Sequence, residues 1–380
     1  MSMTAPHPLV TRARHLARTL LAPHAEEVDQ SEVPAGHLAE IRRSGLLGVN
    51  APTEYGGSAA PASVVRETAE ILAGACCSTW FVQTQHHTPV LTLARSAGPV
   101  RERLLGPLSR GELLSGVAYA HLRAYPRTPV RVTRDGDGWR FDGRVPWYTG
   151  WGLNDVMLLA GVTDADEALF AFTEAREQPG LRASPPMRLT ALTAARTVSL
   201  ELDGFRLPEE AVALRTPFAR WAATDRPKTV AANPAVFGVA ETALALLDED
   251  TAAPLRARLT EVRDRAYALA DHPVADEHLD ERLALRVRAY EVLHAATTAA
   301  VVAGGGRSLS LANRAQRLAR EALFLMVQGQ TPQSRGAHLD ALVVRGQPAN
   351  GTCTQAPSSP AGCLHSPSAA SRGSTPSPNQ

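Results

Sequence analysis

Gly138-Trp139-Arg140-Phe141-Asp142-Gly143-Arg144-Val145-Pro146-Trp147-Tyr148-Thr149-Gly150 is the stretch on which the fold turns. It reads as a β-hairpin whose second arm carries Trp147 and Thr149 on one face, because residues two apart on a strand share a side. A flat apolar wall beside a hydroxyl is the pairing an isoalloxazine ring needs: a neighbour for its dimethylbenzene end and a donor near its N5/O4 edge.

Around this stretch the hydrophobic period is two. From Leu114 onward, Val130–Thr133, Trp139–Phe141, Val156–Leu159, Leu169–Phe172 and Val198–Leu202 look like strands separated by Asp-Gly, Asp-Ala and Pro-Gly turns. Strands grouped without intervening helices argue for an antiparallel barrel or sandwich. No Gly-x-Gly-x-x-Gly follows a strand, so a dinucleotide-binding βαβ unit is not expected. On either side the period changes to that of helices. Residues before about 115 read almost wholly as helix, with Ala62–Thr79 apolar at three- and four-residue steps and Val100–Leu108 a short amphipathic piece. After the strands, Ala231–Leu247, Ala253–Ala270, Leu279–Val302 and Leu311–Val327 describe a four-helix bundle. The fold class is therefore α+β and multidomain: an N-terminal helical domain over 1–115, a middle antiparallel β-barrel or sandwich over 116–215, and a C-terminal four-helix bundle over 225–345. Residues 346–380 are Pro, Ser, Gly, Ala and Thr with few large apolar side chains, and are expected to be a disordered tail. Their abrupt onset after Leu342-Val343-Val344 raises the question of a replaced C-terminus.

Composition narrows the function. At 380 residues, 44% hydrophobic and 20% charged, the chain is globular and too long for a single ordinary core. A formal net charge of +1 provides no field for nucleic acid or an anionic membrane. Lys228 is the only lysine, which reads as a coding bias toward arginine. Cys76 and Cys77 adjoin in an apolar helical run and Cys353 and Cys363 lie in the tail, so reduced thiols are expected and no zinc spacing is seen. Val10, Ala13, Leu16, Ala17, Leu20 and Leu21 recur at helical spacing, and Glu26, Glu27 and Asp29 follow at once. That is an amphipathic helix packed on the body of the protein, neither a signal nor a transit peptide. With no apolar run of membrane-spanning length, a cytoplasmic location is expected.

Three segments together resemble the acyl-CoA dehydrogenase family. The central stretch is similar to that family's Gly-x-Trp-x-x-x-Gly hairpin followed by Trp-x-Thr. Gly45-Leu46-Leu47-Gly48-Val49-Asn50-Ala51-Pro52-Thr53-Glu54-Tyr55-Gly56-Gly57 resembles its helix end and Pro-Glu-x-Gly-Gly loop. Gly305-Gly306 followed by Gln316-Arg317-Leu318-Ala319-Arg320-Glu321-Ala322 resembles its late Gly-Gly loop and the Arg-Asp/Glu helix after it. The resemblance implies FAD lying between β-domain and bundle, an acyl-CoA or related substrate, α,β-dehydrogenation with hydride transfer to flavin N5, and a homo-oligomer, dimer or tetramer, in which a second subunit helps hold the flavin. It offers Trp147, Thr149, Gly305, Gly306 and Arg317 as cofactor-binding candidates. The electron acceptor and the acyl group stay unspecified.

The chemistry departs from the family's pattern. Removal of an α-proton needs a glutamate in a water-poor pocket, and the family places it before a Gly-Thr pair or near the start of the first bundle helix. The first place reads Met326-Val327-Gln328-Gly329-Gln330-Thr331, with Gln328 or Gly329 where the carboxylate should stand, and Gln cannot accept a proton at neutral pH. The second reads Asp225-Arg226-Pro227-Lys228-Thr229-Val230, with Lys228 near the aligned position and Asp225 the nearest acid, either a substitute base or a helix cap. The family's Thr-Glu-Pro segment is replaced by Ala118-Tyr119-Ala120-His121-Leu122-Arg123-Ala124-Tyr125-Pro126. Tyr119 and His121, expected on one strand face, are candidates for the flavin pyrimidine; a partly buried structural histidine is the other reading of His121. His86-His87 lacks a third ligand at workable spacing, so no metal is expected and a solvent or substrate-cleft position is. Gly304-Gly305-Gly306 suits either the partner subunit's flavin dinucleotide or a plain bundle turn, and Arg317 and Arg320 suit either flavin phosphate or acidic neighbours. Three functions remain open: a divergent acyl-CoA dehydrogenase-like enzyme, a flavin monooxygenase on the same fold, and a non-catalytic paralogue.

Overall fold

The computed structural model describes residues 5–127 and 130–346. The expected disordered tail, with Cys353 and Cys363, lies outside those residues from Gln347 on; Gly346 closes the last helix described. The N-terminal region is helical: α1 (Pro8–Leu16), α2 (Ala25–Gln30), α3 (Ala35–Arg43), α4 (Ala62–Ala75), α5 (Cys77–Thr84), α6 (His87–Arg95) and α7 (Pro99–Ser109). Among the described residues eight strands follow: β1 (Ser115–Ala118), β2 (Val130–Asp135), β3 (Gly138–Tyr148), β4 (Val156–Thr163), β5 (Glu167–Glu174), β6 (Leu181–Ala183), β7 (Val198–Pro208) and β8 (Val212–Pro217). Helices return as α8 (Phe218–Val230), α9 (Pro234–Leu244), α10 (Glu249–Ala270), α11 (Leu279–Gly304), α12 (Arg314–Val327) and α13 (Pro332–Gly346). Among the described residues no helix is long and apolar enough to cross a membrane.

The order of helices, sheet and helices is the expected one, and the details differ where short-range signals misled. The stretch around Trp147 is not itself a hairpin. It is one continuous strand, β3, and the turn that joins it to β2 lies just before it, at Gly136 with φ +62°. Asp142-Gly143 reads as a turn in sequence, yet in the structure it is a register shift against β7, with Gly143 at φ +127°. The sheet is also mixed, in the order β6-β7-β3-β2-β4-β5-β8, and not purely antiparallel. After β3 the chain crosses over β2 by way of residues 149–155 and does not turn straight back, so β4 runs parallel to β2 and to β1. The predicted helix over 62–79 breaks at Cys76, whose backbone is extended (φ −154°, ψ 101°).

Burial explains how the layers hold together. The amphipathic N-terminal helix packs inward through Leu9, Val10, Ala13, Leu16 and Leu21, as its spacing predicts. These residues share one core with the bundle, including Phe237, Leu293 and Leu318. A second core lines one side of the sheet around Phe141, Tyr148 and Phe205, and a third joins the other side to α6 and α7. Helices α4 and α9 cross so closely that a Cβ on Gly238 would lie 2.0 Å from the Glu70 carbonyl, and one on Gly74 would lie 2.6 Å from the Gly238 carbonyl. Glycine is required at both positions by that approach alone. The bundle helices start on sequence-visible caps: Asn233, Asp248 and Asn313 each accept a backbone N–H through the side chain, and Pro234 follows Asn233 at the first helical position.

Candidate active site

Sheet, N-terminal helices and bundle meet at a partly open cleft of about 830 Å³. One wall comes from the end of β3. The register of β3 against β7 slips between Val145 and Tyr148, where Pro146 has no N–H to give the ladder, and the resulting bulge turns Trp147 outward. Trp147 is 54% exposed, an unusual placement for an indole, and it lines the cleft with Thr149. Tyr148, between them, points the other way and is fully buried. Asn154 holds this end of the strand: its Nδ2 donates to the Tyr148 hydroxyl oxygen at 3.0 Å and to the Thr149 carbonyl at 2.9 Å. The Thr149 and Thr197 hydroxyls pair at 3.2 Å and both face the cleft. The opposite side is apolar, with Trp80 and Phe81 from α5 and Phe324 and Met326 from α12; Phe81 and Phe324 meet edge to face at 4.8 Å.

Tyr119 and His121 also line the cleft, but not as partners on a strand face. Strand β1 stops at Ala118, and Ala120–Ala124 coil into a 3₁₀ turn. Tyr119 is set edge-on to Phe170 at 5.6 Å, and burial raises its hydroxyl pKa. His121 is buried with Nε2 3.0 Å from the Ala160 carbonyl, which assigns the ring proton to Nε2. Burial lowers its pKa to about 4, so the ring is neutral near pH 7, and Nδ1 is left as an acceptor with no partner among the described residues.

Neither segment expected to carry the base brings a carboxylate to the cleft. Asp225 is buried on α8 and accepts from both Nε and Nη2 of Arg123, at 2.7 and 3.0 Å. It is an ion-pair partner, not the cap of a surface helix, and it does not line the cleft. Gln328, at the C-terminal end of α12, does line it, with Oε1 3.4 Å from Nδ2 of Asn233, itself a lining residue. Among the described residues no Asp or Glu lines this cleft.

Other expected positions lie elsewhere. Gly305 and Gly306 are exposed at the C-terminal end of α11, outside the cleft wall, and a Cβ on either would meet nothing within 4 Å. Arg317 is 1% exposed and bound to acids, with Nη1 2.7 Å from Glu321 and Nε 3.2 Å from Glu26. Of its two readings the acidic one is what the structure holds, since a guanidinium enclosed this way has no surface for phosphate. His86 is neither in solvent nor in the cleft: it is fully buried, its Nδ1 accepts the Ser115 N–H at 3.0 Å and its Nε2 reaches the Leu108 carbonyl at 3.1 Å. Burial pushes its pKa down to about 3. His87 follows at about 4 for the same reason, beside Gln83 at 2.9 Å. Both fasten α5 and α6 to their surroundings.

No local pattern marks Arg123, Thr197 or Asn233 as cleft residues. The Asn233-Pro234 cap was a readable helix start, while Arg123 and its partner are 102 residues apart and no spacing rule joins them.

Residues 7–112 match the family model "Acyl-CoA dehydrogenase, N-terminal domain". The probable acyl-CoA dehydrogenase YngJ of Bacillus subtilis (strain 168) is 24% identical over 211 residues, 51% of this chain and 54% of that protein. The chain thus spans about half the length of that curated relative. Among solved structures, butyryl-CoA dehydrogenase from Megasphaera elsdenii superposes with a TM-score of 0.76 at 17% identity, over 90% of this chain and 100% of that one. A glutaryl-CoA dehydrogenase from Mycobacterium smegmatis in complex with FADH2 does so with a TM-score of 0.71 at 18% identity, over 88% and 94%. These likenesses show the fold.

Proposed function

We propose that this chain, a divergent member of the acyl-CoA dehydrogenase family, is an FAD-dependent oxidoreductase whose cleft seats the flavin ring and an acyl-CoA or related thioester. The observation that carries the reading is the outward indole of Trp147 beside the paired Thr149 and Thr197 hydroxyls, at the junction of sheet and bundle. The residues fit an isoalloxazine: Trp147 offers an apolar face, the threonines offer donors, and His121 Nδ1 is a buried acceptor lacking a partner among the described residues. Bound FAD would supply two-electron redox chemistry there. Trp80, Phe81, Phe324 and Met326 exclude water from the facing side. Neutral His121 fixes polarity without adding charge, and Asn154 keeps Thr149 in place from behind.

The missing lining carboxylate bears on the reaction. With Gln328 at the cleft and Asp225 tied to Arg123, no carboxylate among the described residues lines the cleft for α-proton abstraction, and this favours a second reading, a flavin monooxygenase, which needs no such base. The exposed apolar side chains Val302, Leu309 and Leu311 flank Gly305 and Gly306, and Leu339, Leu342 and Val343 lie exposed on α13. This supports a homo-oligomer in which those glycines meet the partner subunit. The electron donor or acceptor stays open.

The seat is tested by Trp147→Ala. Because the indole is more than half exposed, the fold and its melting temperature should hardly change, while FAD affinity should fall by roughly 10- to 100-fold, the worth of one large aromatic contact. Flavin fluorescence titration reads the effect. Unchanged affinity would mean that the ring does not rest on Trp147.

A further inference from the structure

Two arginines line a cleft that, among the described residues, has no lining carboxylate, and they are not equivalent. Every guanidinium nitrogen of Arg320 has a partner: Nε donates to Gln316, Nη1 to Asp29 and to the Thr190 carbonyl, and Nη2 to Asp29. Arg123 gives Nε and Nη2 to Asp225, whereas its Nη1 has no hydrogen-bond partner among the described residues. The side chain keeps 22% of its surface exposed, and Arg123 lines the cleft.

The position of Nη1 is informative. It lies 3.4 Å from where a Cβ of Gly329 would stand, which is contact distance, and Gly329 has φ +63°, so a side chain there would be strained by its backbone. The cation therefore rests on the backbone of Gln328-Gly329, the end of the cleft where an anionic base would be sought. In place of a carboxylate the chain has a neutral amide and a guanidinium nitrogen with unused donors. Asp225, buried behind, holds the fork by two hydrogen bonds and keeps it from swinging away, so little ordering is left for a ligand to impose.

We propose that the cleft takes an acyl thioester bearing a second anionic group, such as a terminal carboxylate, and that Arg123 Nη1 is the donor that recognises it. This rests on the reading of the cleft as a thioester site. A free guanidinium donor selects an anion over an uncharged chain of equal length, since a hydrogen bond to a charged group is worth more than a neutral one and a neutral ligand would leave the donor unmatched.

The test is calorimetric titration of the purified, FAD-loaded protein with matched pairs: succinyl-, glutaryl- and adipyl-CoA against butyryl-, valeryl- and hexanoyl-CoA. At least one diacid thioester should bind on the order of 10-fold tighter than its neutral partner. Arg123→Gln alone would strand Asp225 as a buried unpaired charge, so the variant is Arg123→Gln with Asp225→Asn, in which the ratio should fall to about one. If no diacid is preferred, or the preference survives in the double variant, the assignment of Arg123 is overturned while the thioester site stands. Should neither series bind, the thioester reading falls and takes this one with it.

Discussion

Arg317→Met should destabilise the folded chain by roughly 3–5 kcal/mol, because it removes one partner from a buried ion pair and strands the other. Arg317 and Glu321 have side chains 1% and 2% exposed and meet at 2.7 Å, and Arg317 also reaches Glu26 on α2, so the pair joins the bundle to the N-terminal helices. Burial raises the Glu321 carboxyl pKa even with Arg317 beside it. Without the guanidinium that pKa rises further, and the sign of the pH dependence follows. A carboxyl whose folded pKa lies above its unfolded one stabilises the fold below the unfolded value and loses that contribution as pH climbs through the folded value. The deficit of the variant should therefore be larger at pH 7 than near pH 4. Denaturant unfolding at both values measures it, and adding Glu321→Leu should recover much of the loss. Should Arg317→Met instead keep its stability and lose FAD, Arg317 would be a cofactor ligand after all.

Gln328→Glu should create the group that the cleft lacks. The residue lines the cleft beside Phe324 and Met326, so a glutamate there would bring a carboxylate to the cleft, with the Asn233 amide within reach to orient it, as a general base requires. In deuterated water the variant should exchange the α-hydrogens of a bound acyl-CoA on the order of 10²-fold faster than the natural protein, the lower range of what a positioned base contributes. Mass spectrometry of the recovered thioester reads this without recourse to flavin reduction. Exchange by the unsubstituted chain at the same rate would show that another group already acts as base.

The architecture was legible because the hydrophobic period changes from that of helices to two and back, and those changes depend only on neighbours in sequence. Trp147 and Thr149 do line one cleft, as their spacing suggested, although Thr149 lies just past the end of β3 and a bulge turns Trp147 outward. What failed depended on distant partners. Gly143 looked like a turn until β7 was placed beside it, the parallel pairings of β4 come from a crossover no local pattern records, and Tyr119 and His121 lost their strand to a 3₁₀ turn. Arg317 in its motif could meet phosphate or carboxylate; Glu321, four residues on, was in view, but the burial that closes the guanidinium between Glu321 and Glu26, 291 residues away, was not. Asp225 drew attention as the nearest acid, yet Arg123 had to be found in space before its role as an ion-pair partner was visible.

We read the cleft between sheet and bundle as a flavin seat. Its most direct measurement is the visible spectrum of the purified protein before and after incubation with FAD and removal of the excess. The protein should be yellow and carry about one FAD per chain, with an absorption band shifted from that of free flavin by the apolar walls. A folded protein that stays colourless after this treatment would contradict this reading.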